Sequence, residues 1–238
     1  MKLYIIRHAQ STNNVLTEAE WNTRDSDPPL TALGEQQAEV VARHLAETAD
    51  LENPWSNHRR VGRGYGIDHL YCSPMARALQ TAQPVGDALG LNPEVWVDIH
   101  EQGGIYLNHG EERGKVGYPG KSRGQMLDQF PSYILPDAVG DEGWWTGDYE
   151  DLAGCHRRVL RVAEALRRQA SGDERIALVT HGTFIDVLLK ALVNQLPDAP
   201  LFFPHYNTAI TRIDFRPDGH MAICYLNKVG HLTAELLS

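Results

Sequence analysis

The 238 residues, 42% hydrophobic and 22% charged, suffice for one domain with a sizeable core and, at most, a large insertion within it. A net charge of −9 argues against nucleic acid or an anionic membrane as partner, so any anion site has to be local. The opening "MKLYIIRHAQ" has only a four-residue apolar run before charge appears, and "IALVTHGTFIDVLLKALV" is broken by His181, Asp186 and Lys190; neither a signal peptide nor a membrane span is expected, and the expected location is cytoplasmic.

In chain order, "KLYII" is a strand run, and Thr31 caps a helix over "ALGEQQAEVVARHLAET" whose Ala38, Val41, Ala42 and Leu45 share one face. The stretch from Glu52 to Gly66 breaks the pattern, and its basic residues His58, Arg59, Arg60 and Arg63 read as a surface loop leading to the strand "IDHLYC". Ser73 as N-cap and Pro74 as first helical residue then open the helix of "CSPMARALQTA". The strand "EVWVD" is followed by a Gly-rich segment from Gln102 to about Asp148, too long and too aperiodic for a plain connection, which is expected to form an inserted lid or wall. Leu152, Cys155, Val159, Val162, Ala163 and Leu166 recur at threes and fours on one helix, with Arg157, Arg158, Arg161, Arg167 and Arg168 expected on its solvated face. After the strand "RIALVT", a helix from Thr183 turns Ile185, Leu188, Leu189, Leu192 and Val193 inward, and "AITRIDF" and "HMAICYL" supply two further strands. Strands alternating with helices predict an α/β fold with a largely parallel sheet. Cys72, Cys155 and Cys224 are odd in number, far apart and in apolar contexts, which predicts buried free thiols.

Two Arg-His pairs occur, and position separates them. Arg43-His44 lies inside a periodic helix, whereas Arg7-His8 falls at the carboxyl end of the first strand, where open α/β sheets place their ligands. The same position recurs at "LYCSPMAR", at "VWVDIHEQGG", which brings Glu101, and at "ALVTHGT", which brings His181. Arg77, in the opening turns of its helix, adds a cation beside a partly positive helix terminus. Arg7, His8, Arg77 and His181 are therefore expected to form one oxyanion pocket, which requires Arg77 and His181 within about 8 Å of the His8 ring.

Together, in order, "RHAQSTNN", "DPPLTALGEQQA", "SPMARALQTA", the glutamate after the third strand and "LVTHG" resemble the histidine phosphatase superfamily, which holds the cofactor-dependent phosphoglycerate mutases and their phosphatase relatives. The resemblance implies a three-layer α/β sandwich with a mixed, mostly parallel sheet in a single domain over 1–238, and a covalent phosphohistidine mechanism. It makes His8 the nucleophile, Arg7, Arg77 and His181 the phosphate pocket, and Glu101 the proton donor, with Ser11, Asn14 and Gly182 as substrate-binding positions. Two arginines and a histidine can stabilise the phosphoryl oxygens without a metal, so neither metal nor cofactor is expected. Guanidinium charge should keep His8 neutral, and Glu101 needs a raised pKa or a proton supplied as the substrate dianion arrives.

Two departures bear on the reaction. Ala9 stands where the family commonly has glycine, which is tolerable outside the left-handed region. "EQGGIYLNHG" lacks the Arg-His-Tyr-Gly that typically follows the glutamate in the mutase branch, and no later arginine pair is recognisable; Arg113, Lys115, Lys121 and Arg123 read as solvated loop charges. The expectation is a phosphatase acting on a small phosphorylated metabolite, with mutase chemistry as the alternative and a non-catalytic phosphate-binding or protein-binding descendant as a third reading. Trp144, Trp145, Tyr118 and Phe130 are expected to line the underside of the insertion, and acidic residues 141, 142, 148, 150 and 151 to repel large polyanions. "GKVGYPGKS" misses P-loop spacing, and His205, His220 and His231 lack metal-ligand spacing. The oligomeric state stays open.

Overall fold

The computed structural model describes residues 1–50 and 64–238, so the basic residues His58, Arg59, Arg60 and Arg63 lie outside the described residues. Eight strands and five α-helices are described: β1 (Lys2–Arg7), α1 (Ala32–Glu47), β2 (His69–Cys72), α2 (Ala76–Leu89), β3 (Glu94–Val95), β4 (Tyr106–Asn108), β5 (Lys115–Gly117), α3 (Arg123–Gln129), α4 (Leu152–Arg168), β6 (Arg175–Thr180), α5 (Gly182–Leu192), β7 (Ile210–Phe215) and β8 (Met221–Lys228). Six strands form one sheet in the order β3-β2-β6-β1-β7-β8. Its β3, β2, β6 and β1 are mutually parallel, β7 pairs antiparallel with β1, and β8 pairs antiparallel with β7.

The period-two alternation of β1 explains the layering. Tyr4 and Ile6 enter one core cluster with Val41, Leu45, Leu79 and Val85 of α1 and α2, whereas Leu3 and Ile5 enter another with Val159, Val162, Ile185 and Leu188 of α4 and α5. Both faces of the strand are covered, so it reads as a continuous apolar run. Three layers result, helix pair on sheet on helix pair.

α1 begins as expected, with Thr31 Oγ1 accepting from Gly34 N at 3.0 Å. Gly34 has a specific reason to be glycine: a Cβ there would sit 2.1 Å from the carbonyl oxygen of Gln10, so the helix could not approach the loop after β1. α2 starts later than expected. Met75 is its N-cap, and Ser73 Oγ accepts from Met75 N within a turn, so Ser73 and Pro74 precede the helix. α5 likewise starts one residue earlier than expected, with His181 as its N-cap, and Val193 falls at its C-cap.

Several charges expected in solvent are structural instead. Arg158 is 4% exposed, pairs with Glu150 at 2.5 Å, and donates to the carbonyls of Asp98 and His100. Asp151 Oδ1 accepts from Gly154 N and caps α4. Glu150 and Asp151 therefore hold α4 in place. Arg123 donates to the carbonyls of Leu135, Pro136 and Val139, closing its own loop. Leu152, expected inward, is exposed. Cys72 and Cys155 are buried as free thiols, but Cys224 is exposed, because β8 is the edge strand next to β7.

The segment after Glu101 carries the β4-β5 hairpin and α3. Its Met126, Phe130, Tyr133 and Trp144 join the core cluster of α1 and α2, Trp145 and Tyr118 pack against that cluster, and Tyr133 Oη donates to Leu79 O at 2.6 Å. Gly104, at φ +71°, leaves room for the Trp145 ring, which a Cβ would meet at 2.3 Å.

Gly34→Ala is expected to lower stability by about 2 kcal/mol, because main chain rather than a flexible side chain must move. Urea denaturation checks this, and an unchanged midpoint would contradict the close approach.

Candidate active site

β1 ends at Arg7, and main chain continues the pairing one step further, His8 N donating to Thr180 O at 2.8 Å. Three polar main-chain groups of the next turn are then caught by side chains from elsewhere. Asn207 Nδ2 donates to His8 O, Ala9 N donates to Thr81 Oγ1 in α2, and Gln10 N donates to Gln37 Oε1 in α1. Thr81 Oγ1 in turn donates to Arg77 O at 2.6 Å, joining the His8 loop to the helix that carries Arg77. Ala9 lies outside the left-handed region, so the missing glycine causes no strain.

The structure brings Arg7, His8, Arg77 and His181 together. Arg77 Nε donates to His8 Nε2 at 3.1 Å, and the His8 and His181 rings are 5.1 Å apart between centroids. An acceptor at Nε2 places the ring proton on Nδ1, which donates to Ala9 O at 2.7 Å. His8 thus presents an in-plane lone pair at Nε2. Its pKa is pushed well below the usual imidazole value, first by burial and then by the Arg77 and Arg7 charges; the guanidinium effect expected from the sequence is the second cause. His181, fully buried, is likewise held neutral by burial and then by Arg77.

Unmet hydrogen-bonding capacity surrounds the Nε2 lone pair. Arg7 donates through Nη1 to His205 O, while its buried Nε has no partner. His181 Nε2 shares a 2.7 Å hydrogen bond with Ser73 Oγ, and its Nδ1 is buried without one. An oxyanion would satisfy such groups. A Cβ at Gly182 would lie 3.6 Å from Arg7 Nε, so the first residue of α5 runs beneath that guanidinium.

Glu101 closes the fourth side. Its Oε1 accepts from Gln102 N and Phe184 N, both at 2.9 Å, and its Oε2 accepts from Thr183 N at 3.2 Å. The carboxylate therefore docks on the amino end of α5, and its charge acts on both Arg7 and Arg77. Ser11 and Asn14 occupy the turn after His8, where Asn14 Oδ1 accepts from Ser11 N and Ser11 Oγ; the Ser11 hydrogen is committed to Asn14, and Asn14 is exposed at the rim.

Sequence reasoning missed the side chains that hold the loop. Gln37 and Thr81 stand inside the quoted motifs but look like ordinary helix residues, and Asn207 follows no motif. Asp27 is another: its Oδ1 accepts from Ala76 N at the start of α2, its Oδ2 is buried without a partner, and its carboxylate acts on Arg77. Thr208, next to Asn207, adopts φ +57°, a strained choice for a β-branched residue, while its N donates to Arg7 O.

A family model for the histidine phosphatase superfamily, branch 1, matches residues 3–228. The chain belongs to this superfamily. It is similar to proteins named probable phosphoglycerate mutase GpmB from Yersinia enterocolitica, at 25% identity over 99% of this chain and 95% of that protein, and from Yersinia pestis, at 24% identity over the same shares. Among solved structures it is similar in fold to a phosphoserine phosphatase from Entamoeba histolytica, with a TM-score of 0.60 and 23% identity over 98% of this chain and 99% of that one. An alpha-ribazole phosphatase from Shigella flexneri gives a TM-score of 0.61 and 18% identity over 96% of each chain. The superfamily fold accounts for the mixed sheet and for four strand ends meeting at one pocket. Among the described residues, no helix is long and apolar enough to cross a membrane, and no group of three or more His, Cys, Asp or Glu side chains is arranged to hold a metal ion.

Burial of two neutral imidazoles makes stability depend on pH in a definite sense. The folded state disfavours protonation, so below about pH 6.5 the unfolded chain binds protons that the fold excludes. The contribution is complete above that pH and is lost as pH falls, by about 1.4 kcal/mol per pH unit for each histidine. Urea midpoints between pH 7.5 and 5 should decline, with a shallower slope in the His8→Gln/His181→Gln double variant. An equal slope in both proteins would contradict the burial of neutral rings.

Proposed function

We propose that this protein is a metal-independent phosphatase that hydrolyses a small phosphomonoester in the cytoplasm through a phosphohistidine on His8. The observation that carries the reading is the neutral His8 ring, with Nδ1–H held by Ala9 O and the Nε2 lone pair lying against Arg77, next to unpartnered nitrogens of Arg7 and His181. His8 Nε2 attacks phosphorus as the ester P–O bond breaks, and Glu101 gives a proton to the departing oxygen. Arg7, Arg77 and His181 stabilise charge on the phosphoryl oxygens throughout. Water then attacks phosphorus, the P–N bond breaks, and Glu101 takes the water proton, returning His8 to its starting form. Gly182 and the Ser11-Asn14 turn border the phosphate on either side. The Glu101 carboxylate now docked on α5 has to exchange at least one main-chain partner for the leaving oxygen.

The phosphatases among the fold relatives support hydrolysis, as does "EQGGIYLNHG", which lacks the mutase-type continuation. The name carried by the curated relatives favours the second reading, phosphoryl transfer within a phosphorylated sugar acid. The two share phosphorylated His8 and differ in the acceptor. With 3-phosphoglycerate as probe, release of inorganic phosphate supports the first reading, and conversion to the 2-isomer without release supports the second.

His8→Ala should reduce turnover of p-nitrophenyl phosphate to background and abolish acid-labile labelling of the protein. Glu101→Gln should slow alkyl phosphates by roughly 100-fold and aryl phosphates much less, since a phenolate needs no proton to leave. Equal losses on both would remove Glu101 from the acid role. Activity should persist in EDTA, and strict metal dependence would overturn the mechanism.

A further inference from the structure

Ser238 belongs to no motif, yet its hydroxyl sits between the two amides that hold the His8 turn. Gln10 N donates to Gln37 Oε1 at 2.8 Å, and Gln37 Nε2 donates to Ser238 Oγ at 2.8 Å. Ser238 Oγ then donates to Asn207 Oδ1 at 3.2 Å, and Asn207 Nδ2 donates to His8 O at 2.8 Å. The hydrogen bonds run in one direction from Gln10 back to His8 and close a ring around the turn. Gln37 and Asn207 are buried, so both amides depend on protein partners.

The direction matters, because a primary amide carries oxygen on one side and N–H on the other, and its shape does not decide which side faces which neighbour. Gln37 serves Gln10 N only with its oxygen, which obliges Nε2 to find acceptors elsewhere; Ser238 Oγ and Leu236 O, both at 2.8 Å, provide them. Asn207 serves His8 O only with Nδ2, so its oxygen needs a donor, and the single Ser238 hydroxyl hydrogen supplies it. Ser238 O also accepts from Asn207 N at 2.9 Å, which holds Asn207 next to Thr208, the residue at φ +57° whose N donates to Arg7 O.

Gln10 N and Ala9 O are the two ends of one peptide plane. Fixing Gln10 N therefore aims Ala9 O, which accepts the His8 Nδ1 proton at 2.7 Å. In the free protein Arg77 Nε, donating to His8 Nε2, enforces the same tautomer. On the proposed mechanism Arg77 turns to the phosphoryl oxygens when substrate binds, and the tautomer then rests on the bond to Ala9 O.

We propose that Ser238 is a positioning residue for phosphoryl transfer: by setting the direction of the Gln37 and Asn207 amides it fixes the Ala9–Gln10 peptide, which keeps the proton on Nδ1 and Nε2 aimed at phosphorus once Arg77 has turned away. The inference rests on the phosphomonoester reading above and deepens it. The hydroxyl bonds to Gln37 and Asn207 and lies outside the group formed by Arg7, Arg77 and His181, so its removal acts on transfer and spares phosphate binding.

Stopped-flow release of p-nitrophenolate separates the rate constant for transfer to His8 from the dissociation constant of p-nitrophenyl phosphate. Ser238→Ala should lower that rate constant about tenfold, with the dissociation constant within about twofold of the parent, and Ser238→Thr, which keeps a hydroxyl, should retain the parent rate. A second measurement isolates the ring. In Arg77→Met protein carrying isotope-labelled histidine, nitrogen NMR near neutral pH should show His8 with its proton on Nδ1, and adding Ser238→Ala should bring in the Nε2–H form. An unchanged rate constant in Ser238→Ala, a loss that falls on the dissociation constant, an equal loss in Ser238→Thr, or a tautomer indifferent to Ser238 would overturn the proposal. Absence of p-nitrophenolate release by the unsubstituted protein would instead count against the phosphomonoester reading, and the NMR comparison would still decide whether Ser238 sets the His8 tautomer.

Discussion

The hydrogen bond from Arg77 to His8 imposes more on this chain than any other contact. A guanidinium cannot donate to a protonated imidazole, so the bond exists only if His8 is neutral with its proton on Nδ1. Burial makes it neutral, and Ala9 O takes the Nδ1 proton. The donor also has to cross the end of β6, because that strand lies between β1 and β2 in the sheet. His181, at the end of β6, consequently sits beside the bond. On the proposed mechanism one guanidinium serves two states: it orients the free ring, and once Nε2 carries phosphorus it turns to the phosphoryl oxygens.

How much of this could be read in advance depended on whether the cause was local. Thr31, Ala38, Val41 and Leu45 declared α1 because capping and a 3.6-residue period act within a few residues. Arg7, His8, Arg77 and His181 could be grouped because a parallel sheet brings strand ends to one edge whatever its loops do. Arg158 could not be read as buried, because its helix position is that of a surface residue and only Glu150 and the carbonyls of Asp98 and His100 draw it inward. Asn207, Gln37 and Thr81 were hidden for a similar reason: each meets a main-chain group that is distant in sequence. Ser73 misled in another way, since a serine before a proline resembles an N-cap while here it sits in a turn against His181.

The segment after Glu101 shows how an irregular stretch acquires a fixed form. It has little periodicity, yet Met126, Phe130, Tyr133 and Trp144 bury side chains in the same cluster as α1 and α2. Arg123 satisfies three carbonyls that a helix or sheet would otherwise have satisfied. His100, adjoining Glu101, is packed against both Trp144 and Trp145, with ring centroids 5.4 and 4.9 Å away, and its pKa is lowered to about 3 by burial first and Arg158 second. The glutamate is thereby flanked by a ring that stays uncharged across the physiological range.

The placement of β1 has a consequence for how the protein comes into being. Its partners on either side begin at Arg175, opposite Lys2 on one edge, and end at Asp214 and Phe215, near the same residue on the other. The strand that ends at Arg7, just before His8, thus leaves the ribosome long before either neighbour exists, with an apolar sequence and both edges unpaired. Contacts of such long range are slow to close. Nascent chains should depend on being shielded during that interval, and the pocket that gathers Arg7, His8, Arg77 and His181 can assemble only after β6 and β7 have been made.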